Sequence, residues 1–255
     1  MMARIIAVIP ARMGSSRFPG KPLLKVRGLP MVEHVRRRAL LCRAFAEVVV
    51  ATCDAAIAEA VTGFGGRCLM TSPAHPAATD RVAEAAQQLD CTHVINVQGD
   101  ELLVLPSDLA RMAQAMQEEP EVPAWNAVAR LLKAPELADP SVVKCALSQG
   151  GRILFCTRRC NAAGAALAPE SPWRRVLGIL GFRKDFLLRY GDLARTPLEQ
   201  AESIDQMRIV EHDAMLRAIE FSRGYPGINE PREVELVHDV LTADATQQHV
   251  LAEIL

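Results

Sequence analysis

Four short apolar runs alternate with four helical patterns between residues 5 and 117, and this rhythm restricts the fold more than any other feature of the chain. Residues 5–9, 47–52, 67–70 and 93–98 read as strands, being short and largely apolar. Residues 31–43, 54–62, 79–89 and 106–117 carry helical patterning, with Asp54 placed to cap the second helix and Pro106 near the start of the fourth. Such an alternation implies a parallel, doubly wound sheet with helices on both faces. Ligands bind such sheets beyond the carboxyl ends of the strands. The segment after residue 9 and Gln98-Gly99-Asp100 both follow strands, so both are expected to face one crevice.

Beyond about residue 121 the rhythm changes. Residues 125–132, 142–147 and 153–157 read as strands, with Gln149-Gly150-Gly151 as the hairpin turn between the last two. Residues 161–172, rich in Ala, Gly and Pro, read as a surface loop. Residues 176–182 return to the sheet, and helical patterns follow at 184–189, 197–212 and 231–241. There is no internal repeat and no linker long enough to separate independent units, so residues 1–255 are expected to form one domain.

Half of the residues are hydrophobic, which supplies a sizeable core. A net charge of −1 and a pI near 6.6 argue against a general nucleic-acid or membrane-surface binder but leave room for a local basic pocket. No apolar stretch approaches the roughly 20 residues that cross a bilayer. The seven cysteines form no Cys-x-x-Cys pair, and Cys156 and Cys160 have no second pair at zinc-ligand spacing. With no signal peptide at its start, the chain is expected to be cytoplasmic with reduced, mostly buried thiols.

Residues 9–22 read Ile-Pro-Ala-Arg-Met-Gly-Ser-Ser-Arg-Phe-Pro-Gly-Lys-Pro and follow the first strand directly. Glycines let backbone N–H groups approach an anion, and Arg12, Arg17 and Lys21 neutralise it, helped by the hydroxyls of Ser15 and Ser16. The spacing is neither that of a Walker A loop nor that of a dinucleotide fingerprint. Asp100 closes a strand through Gln98-Gly99. By pattern alone it reads equally as a metal-binding carboxylate or as a turn aspartate.

The loop resembles the signature of the sugar-acid cytidylyltransferases, and in detail that of the CMP-Kdo synthetase (3-deoxy-manno-octulosonate cytidylyltransferase) family. The likeness continues through Gly28-Leu-Pro-Met-Val-Glu-His34, Val49-Val-Ala-Thr52, Asn96-Val-Gln-Gly-Asp-Glu101, Asp139-Pro-Ser-Val-Val-Lys144, Gly178-Ile-Leu-Gly-Phe182 and Thr196-Pro-Leu-Glu-Gln200, and so spans roughly residues 4–240. It implies a Rossmann-like, glycosyltransferase-A-like nucleotidyltransferase fold with a mixed, mostly parallel sheet, helices on both faces and a β-rich arm at about residues 121–176. In relatives that arm builds a homodimer. The implied reaction transfers CMP from CTP to a small acidic acceptor, with Mg²⁺ as cofactor and release of pyrophosphate.

Carried onto this chain, the resemblance assigns catalysis to Arg12, Lys21 and Asp100. CTP contacts fall to Ala11, Arg12, Ser15, Ser16, Arg17, Lys21, Thr79 and Arg81. Gln98, Lys144, Arg158 and Gln206 are the acceptor contacts, since arginine offers a carboxylate two parallel donors. Asp100 and Asn229 are the metal ligands, and Arg208 shares a helix with Gln206. Arg81 also reads as an ordinary cation of a helix first turn, Arg159 as a surface residue, and His75 as either a base or a hydrogen-bonded loop residue.

The departures from the family are specific. His-x-Ser-Gly-Thr is His75-Pro-Ala-Ala-Thr79 here, a histidine is replaced by Val176, and two tyrosines by Leu180 and Phe182. Apolar replacements on an acceptor wall leave sugar hydroxyls unpaired at about 1–3 kcal/mol each. A family glutamate is Asp205, and the second metal aspartate is Asn229, which can still offer a neutral oxygen, with the neighbouring carboxylate of Glu230 as the alternative ligand. The default acceptor is a 2-keto-3-deoxy sugar acid such as Kdo. The alternative is a small phosphonate acid, and a nucleotide-binding homologue without turnover is a reading of another class.

Overall fold

Small and branched apolar side chains bury every residue of the first strand, β1 (Ile5–Ala11), in the computed structural model. The structure describes residues 3–14, 17–160, 167–168 and 170–255. Ser15, Ser16 and most of the 161–172 segment lie outside the described residues. A two-stranded ribbon, β2 (Lys25–Val26) and β3 (Leu29–Pro30), leads into α1 (Met31–Leu40), β4 (Glu47–Thr52), α2 (Ala55–Gly63), β5 (Arg67–Met70), α3 (Ala78–Gln87), β6 (His93–Val97) and α4 (Pro106–Glu118). The second half holds β7 (Ala124–Ala129), α5 (Ala134–Ala138), β8 (Lys144–Leu147), β9 (Ile153–Thr157), β10 (Trp173–Arg183), α6 (Lys184–Tyr190), α7 (Pro197–Glu202), α8 (Gln206–Glu211), β11 (Leu216–Glu220), α9 (Glu233–Ala243) and α10 (Ala245–Ile254).

The main sheet runs β11-β7-β10-β6-β1-β4-β5, with β8 and β9 attached through β10. β1 pairs in parallel with β4 and β6, β4 with β5, and β7 with β11. β10 is antiparallel to both β6 and β7, which makes the sheet mixed but mostly parallel. One core lies between the sheet and α1, α2, α4 and α9, and the other between the sheet and α3, α6 and α8. Helices therefore cover both faces, as the alternation requires.

Several elements differ from the sequence reading. The 197–212 pattern splits because Ser203 adopts a left-handed backbone, φ 53°, and ends α7. β11 and α10 are additions to the sequence reading. α1 stops at Leu40 rather than 43, and β10 begins at Trp173 rather than 176. Asp54 does not cap α2 with its side chain.

Across the break between α7 and α8, Arg208 donates to both carboxylate oxygens of Glu199, at 2.9 and 2.5 Å. The same guanidinium stacks 4.6 Å from the centre of the Tyr190 ring. Burial works to raise the Glu199 carboxyl, but hydrogen bonds from Arg208 and the Thr196 amide outweigh it and hold the group below its ordinary range. Glu199→Ala leaves a buried unpaired guanidinium and should destabilise the fold by about 3–5 kcal/mol in urea unfolding at pH 7. Because the folded carboxyl titrates low, the difference between wild type and variant should be full at neutral pH and shrink as the pH falls below about 4.

Candidate active site

The carboxyl ends of β1 and β6 lie side by side, and a trench of three adjoining cavities opens beyond them. The central cavity, about 270 Å³, is lined by Arg12, Arg17 and Lys21 from the first loop and by Gln98, Asp100 and Asn229. At one end it shares Pro10, Ala11, Arg12 and Ala78 with a cavity of about 90 Å³ that also takes in His75 and Arg81. At the other it shares Arg17, Gln98, Asp100 and Asn229 with a cavity of about 660 Å³. The two segments expected to face one crevice therefore do so.

The first loop is held at both ends. Met13 N–H donates to Asp54 Oδ2 at 2.8 Å, and Gly20 N–H to Met13 O at 3.1 Å. Asp54 is thus a loop anchor that sequence reasoning mistook for a helix cap; its place just after the neighbouring parallel strand β4 is the signal. Arg12 and Arg17 are exposed, and neither bonds to another described residue. Lys21 differs, because its Nζ lies 3.2 Å from Asp100 Oδ2 with both side chains largely buried.

The Asp100 turn is fixed from two sides. Gly178 in β10 accepts from Gln98 N at 3.0 Å and donates to Glu101 Oε1 at 2.7 Å. A Cβ at Gly178 would sit 2.9 Å from that oxygen, so a side chain there would have to displace the Glu101 carboxyl. Likewise, a Cβ at Gly227 would meet the Asp100 carbonyl at 2.9 Å, which seats the Asn229 loop against Asp100. Glu233 Oε2 accepts from the amides of Asn229 and Glu230, at 2.5 and 2.8 Å, and orders that loop. Glu230 pairs with Arg232 at 3.0 Å and lines only the large cavity, whereas Asn229 lines both.

Glu101 carries the most displaced carboxyl near the trench. Burial pushes it up to about 7, Asp100 adds to the rise, and the Gly178 amide opposes it. Its place next to Asp100 was the sequence signal, left unassigned.

The remaining residues divide. Thr79 is buried at the start of α3, its hydroxyl 3.5 Å from Asp205 Oδ2, and Asp205 lines the large cavity. Burial raises the Asp205 carboxyl. Gln206 lines the same cavity and donates to Asn126 at 2.9 Å. Arg158 lines it too, but its guanidinium donates to the carbonyls of Pro140, Glu202 and Ser203. Lys144 is not brought to the trench: it is fully buried, its ammonium donates to the carbonyls of Asp139 and Arg158, and burial lowers its pKa. Arg208 and Arg159 also lie outside the cavity lining. The apolar replacements need correction as well. Val176 lines the large cavity, but Leu180 and Phe182 point into the core, with the Phe182 ring 6.2 Å from Tyr190. Those two positions alter packing and not an acceptor wall.

One carboxylate and one amide oxygen at the joint of two cavities are hard donors that suit a divalent cation. Among the described residues, no group of three or more His, Cys, Asp or Glu forms a metal cage. These donors therefore fit a metal that draws its remaining ligands from a bound phosphate or water, and Lys21 already supplies a positive charge at Asp100.

Residues 6–217 match the family model described as cytidylyltransferase. The chain is 42% identical over 243 residues to the 3-deoxy-manno-octulosonate cytidylyltransferase of Myxococcus xanthus, covering 94% of this chain and 97% of the relative. It is 35% identical to the Escherichia coli enzyme of the same name, covering 96% and 99%. A solved CMP:2-keto-3-deoxy-manno-octonic acid synthetase complexed with CTP superposes with a TM-score of 0.88 at 35% identity, covering 94% and 99%. The fold extends to the inositol-1-phosphate CTP transferase of T. maritima, with a TM-score of 0.67 at 14% identity.

Asp54→Ala removes the acceptor of the Met13 amide and should weaken binding of a nucleoside triphosphate by about tenfold in calorimetry, with little change in melting temperature. A raised Glu101 carboxyl means that the folded state keeps a proton which the unfolded chain loses at lower pH, so stability falls as pH rises through the range between them. Glu101→Gln should match wild type near pH 4 and exceed it increasingly up to pH 8, in thermal unfolding without divalent cations. Parallel curves would contradict the assignment.

Proposed function

The chain belongs to the cytidylyltransferase family, and on that premise we propose that it transfers CMP from CTP to Kdo, a 2-keto-3-deoxy sugar acid, and releases pyrophosphate. The observation that carries this reading is the trench. A small cavity, a cationic middle and a large polar cavity adjoin in that order, with Asp100 at the joint between the last two. That order suits base, triphosphate and acceptor.

In the proposed complex the base enters the 90 Å³ end and the triphosphate lies along Arg12, Arg17 and Lys21. A hydroxyl oxygen of the acceptor attacks the α-phosphorus. The new P–O bond forms as the bond to the β-phosphate oxygen breaks, and pyrophosphate leaves while the hydroxyl proton passes to solvent. Positioning and charge neutralisation supply most of the acceleration in such a reaction. The cations of the loop hold the leaving pyrophosphate, and Gln98, at the joint, orients the acceptor. Asp100 and Asn229 would hold Mg²⁺, which supplies charge for the α-phosphate oxygens when bound. A neutral Asn229 in that pair predicts a high metal requirement. The Kdo reading stands ahead of the phosphonate reading because Leu180 and Phe182 are buried in the core and do not line the large cavity. The 121–176 region is proposed to build a homodimer, supported by the exposed Leu132 and Leu154.

Pyrophosphate should be released on incubation with CTP, Mg²⁺ and Kdo. Asp100→Ala should reduce the rate by more than about 100-fold, while Asn229→Asp should lower the Mg²⁺ concentration for half-maximal rate. Release with a phosphonate acid but not with Kdo would reject the acceptor, and an unchanged rate for Asp100→Ala would reject the metal role.

A further inference from the structure

The base end of the trench holds one side chain whose role the transfer reaction does not use. His75 lines the 90 Å³ cavity together with Arg12, Arg81, Pro10 and the methyl groups of Ala77 and Ala78. Arginine only donates hydrogen bonds, and Arg81, buried at 2% exposure, already donates to Thr71 Oγ1. Among the described residues whose side chains line this cavity, His75 is therefore the one able to accept.

The imidazole is held in a defined orientation. Its Nε2 hydrogen-bonds to Glu84 Oε2 on α3, the same oxygen that accepts from Ser72 N at 2.8 Å. Ser72 Oγ in turn accepts from Ala74 N at 3.1 Å, so the segment carrying His75 is folded onto Glu84. The hydrogen bond from His75, followed by that from Ser72, lowers the Glu84 carboxyl below its ordinary range. An ionised Glu84 accepts, so Nε2 carries the proton. In the neutral ring, Nδ1 is then left as an acceptor, with no partner among the described residues.

Cytosine and uracil differ in what they ask of such a group. Both offer a carbonyl at C2, which a guanidinium satisfies equally. Cytosine carries an amino donor at C4, where uracil carries a carbonyl acceptor. An acceptor facing C4 pairs with the first and is left unpaired against the second. We propose that His75, oriented by Glu84, selects a cytosine over a uracil base at this end of the trench. The inference rests on the placement of the base in the proposed reaction; Glu84 is the positioning residue and His75 the contact.

The test compares kcat/KM for CTP and UTP, with Kdo as acceptor, in wild type, His75→Leu, His75→Gln, Glu84→Leu and Glu84→Gln, each checked for an unchanged circular dichroism spectrum. His75→Leu should reduce the CTP-to-UTP ratio by about tenfold or more. His75→Gln, whose amide oxygen can accept, should restore part of it. Glu84→Leu should lower the ratio, and Glu84→Gln, which still accepts from Nε2, should rescue it. A folded His75→Leu protein with an unchanged ratio would overturn the proposal and assign base choice to backbone carbonyls. Calorimetric titration with CTP and UTP, free of acceptor, separates the two readings. If wild type binds CTP but releases no pyrophosphate, the transfer reaction fails, while the CTP-to-UTP affinity ratio of the variants still decides the role of His75.

Discussion

Gly178 is the point on which the trench depends. Its carbonyl takes the Gln98 amide and its own amide is taken by the Glu101 carboxylate, so a single residue of β10 fixes both ends of the turn that presents Asp100. Nearby, the pairing of β10 with β7 shifts register between Val176 and Leu180, and Asn126 donates to the Leu177 carbonyl there at 3.0 Å. An antiparallel strand inserted among parallel ones thus brings its irregular stretch to the same edge where β1 and β6 end. A side chain at position 178 would press on the Glu101 carboxyl and the Gln98 side chain, and the hydrogen bond that holds the turn would have to shift.

Charge is arranged around that turn with little slack. Lys21 and Asp100 neutralise each other across 3.2 Å, while Arg12 and Arg17 remain exposed. In the large cavity, Arg175 pairs with Glu136, Arg232 with Glu230, and Arg158 with backbone carbonyls. These contacts hold loops in place, the Arg175–Glu136 pair being partly buried and the Arg232–Glu230 pair more exposed, and their donors reach a ligand only by exchanging partners. The site is therefore preorganised at the Asp100 turn, while its cationic rim is adjustable.

Much of this was readable from local pattern. The β–α alternation identified the parallel half of the sheet, and the order of strand, glycine and cation located the loop. Gln98-Gly99-Asp100 was recognised because glycine after a buried strand marks close approach of backbone. Other residues were misread for physical reasons. Asp54 has the chemistry of a helix cap and the position of one, but the unpaired Met13 amide, 41 positions away, competes for its carboxylate. Lys144 looked like an anion contact because it is a cation in a matching motif, yet two nearby carbonyls satisfy it in the interior. Leu180 and Phe182 looked like a rebuilt pocket because strand alternation does not say which face a ligand occupies.

The amino-acid sequence by itself determined the fold class, the family and the residues at the centre of the trench. Those depend on periodicity and on short contiguous motifs, which survive without knowledge of distant partners. Only the tertiary structure decided which cations face the cavity, which carboxylates anchor loops, and which member of the Asn229-Glu230 pair lines the central cavity with Asp100. Those outcomes depend on competition between hydrogen-bond partners far apart in the chain, and such competition is resolved only when the sheet and its helices bring the partners together.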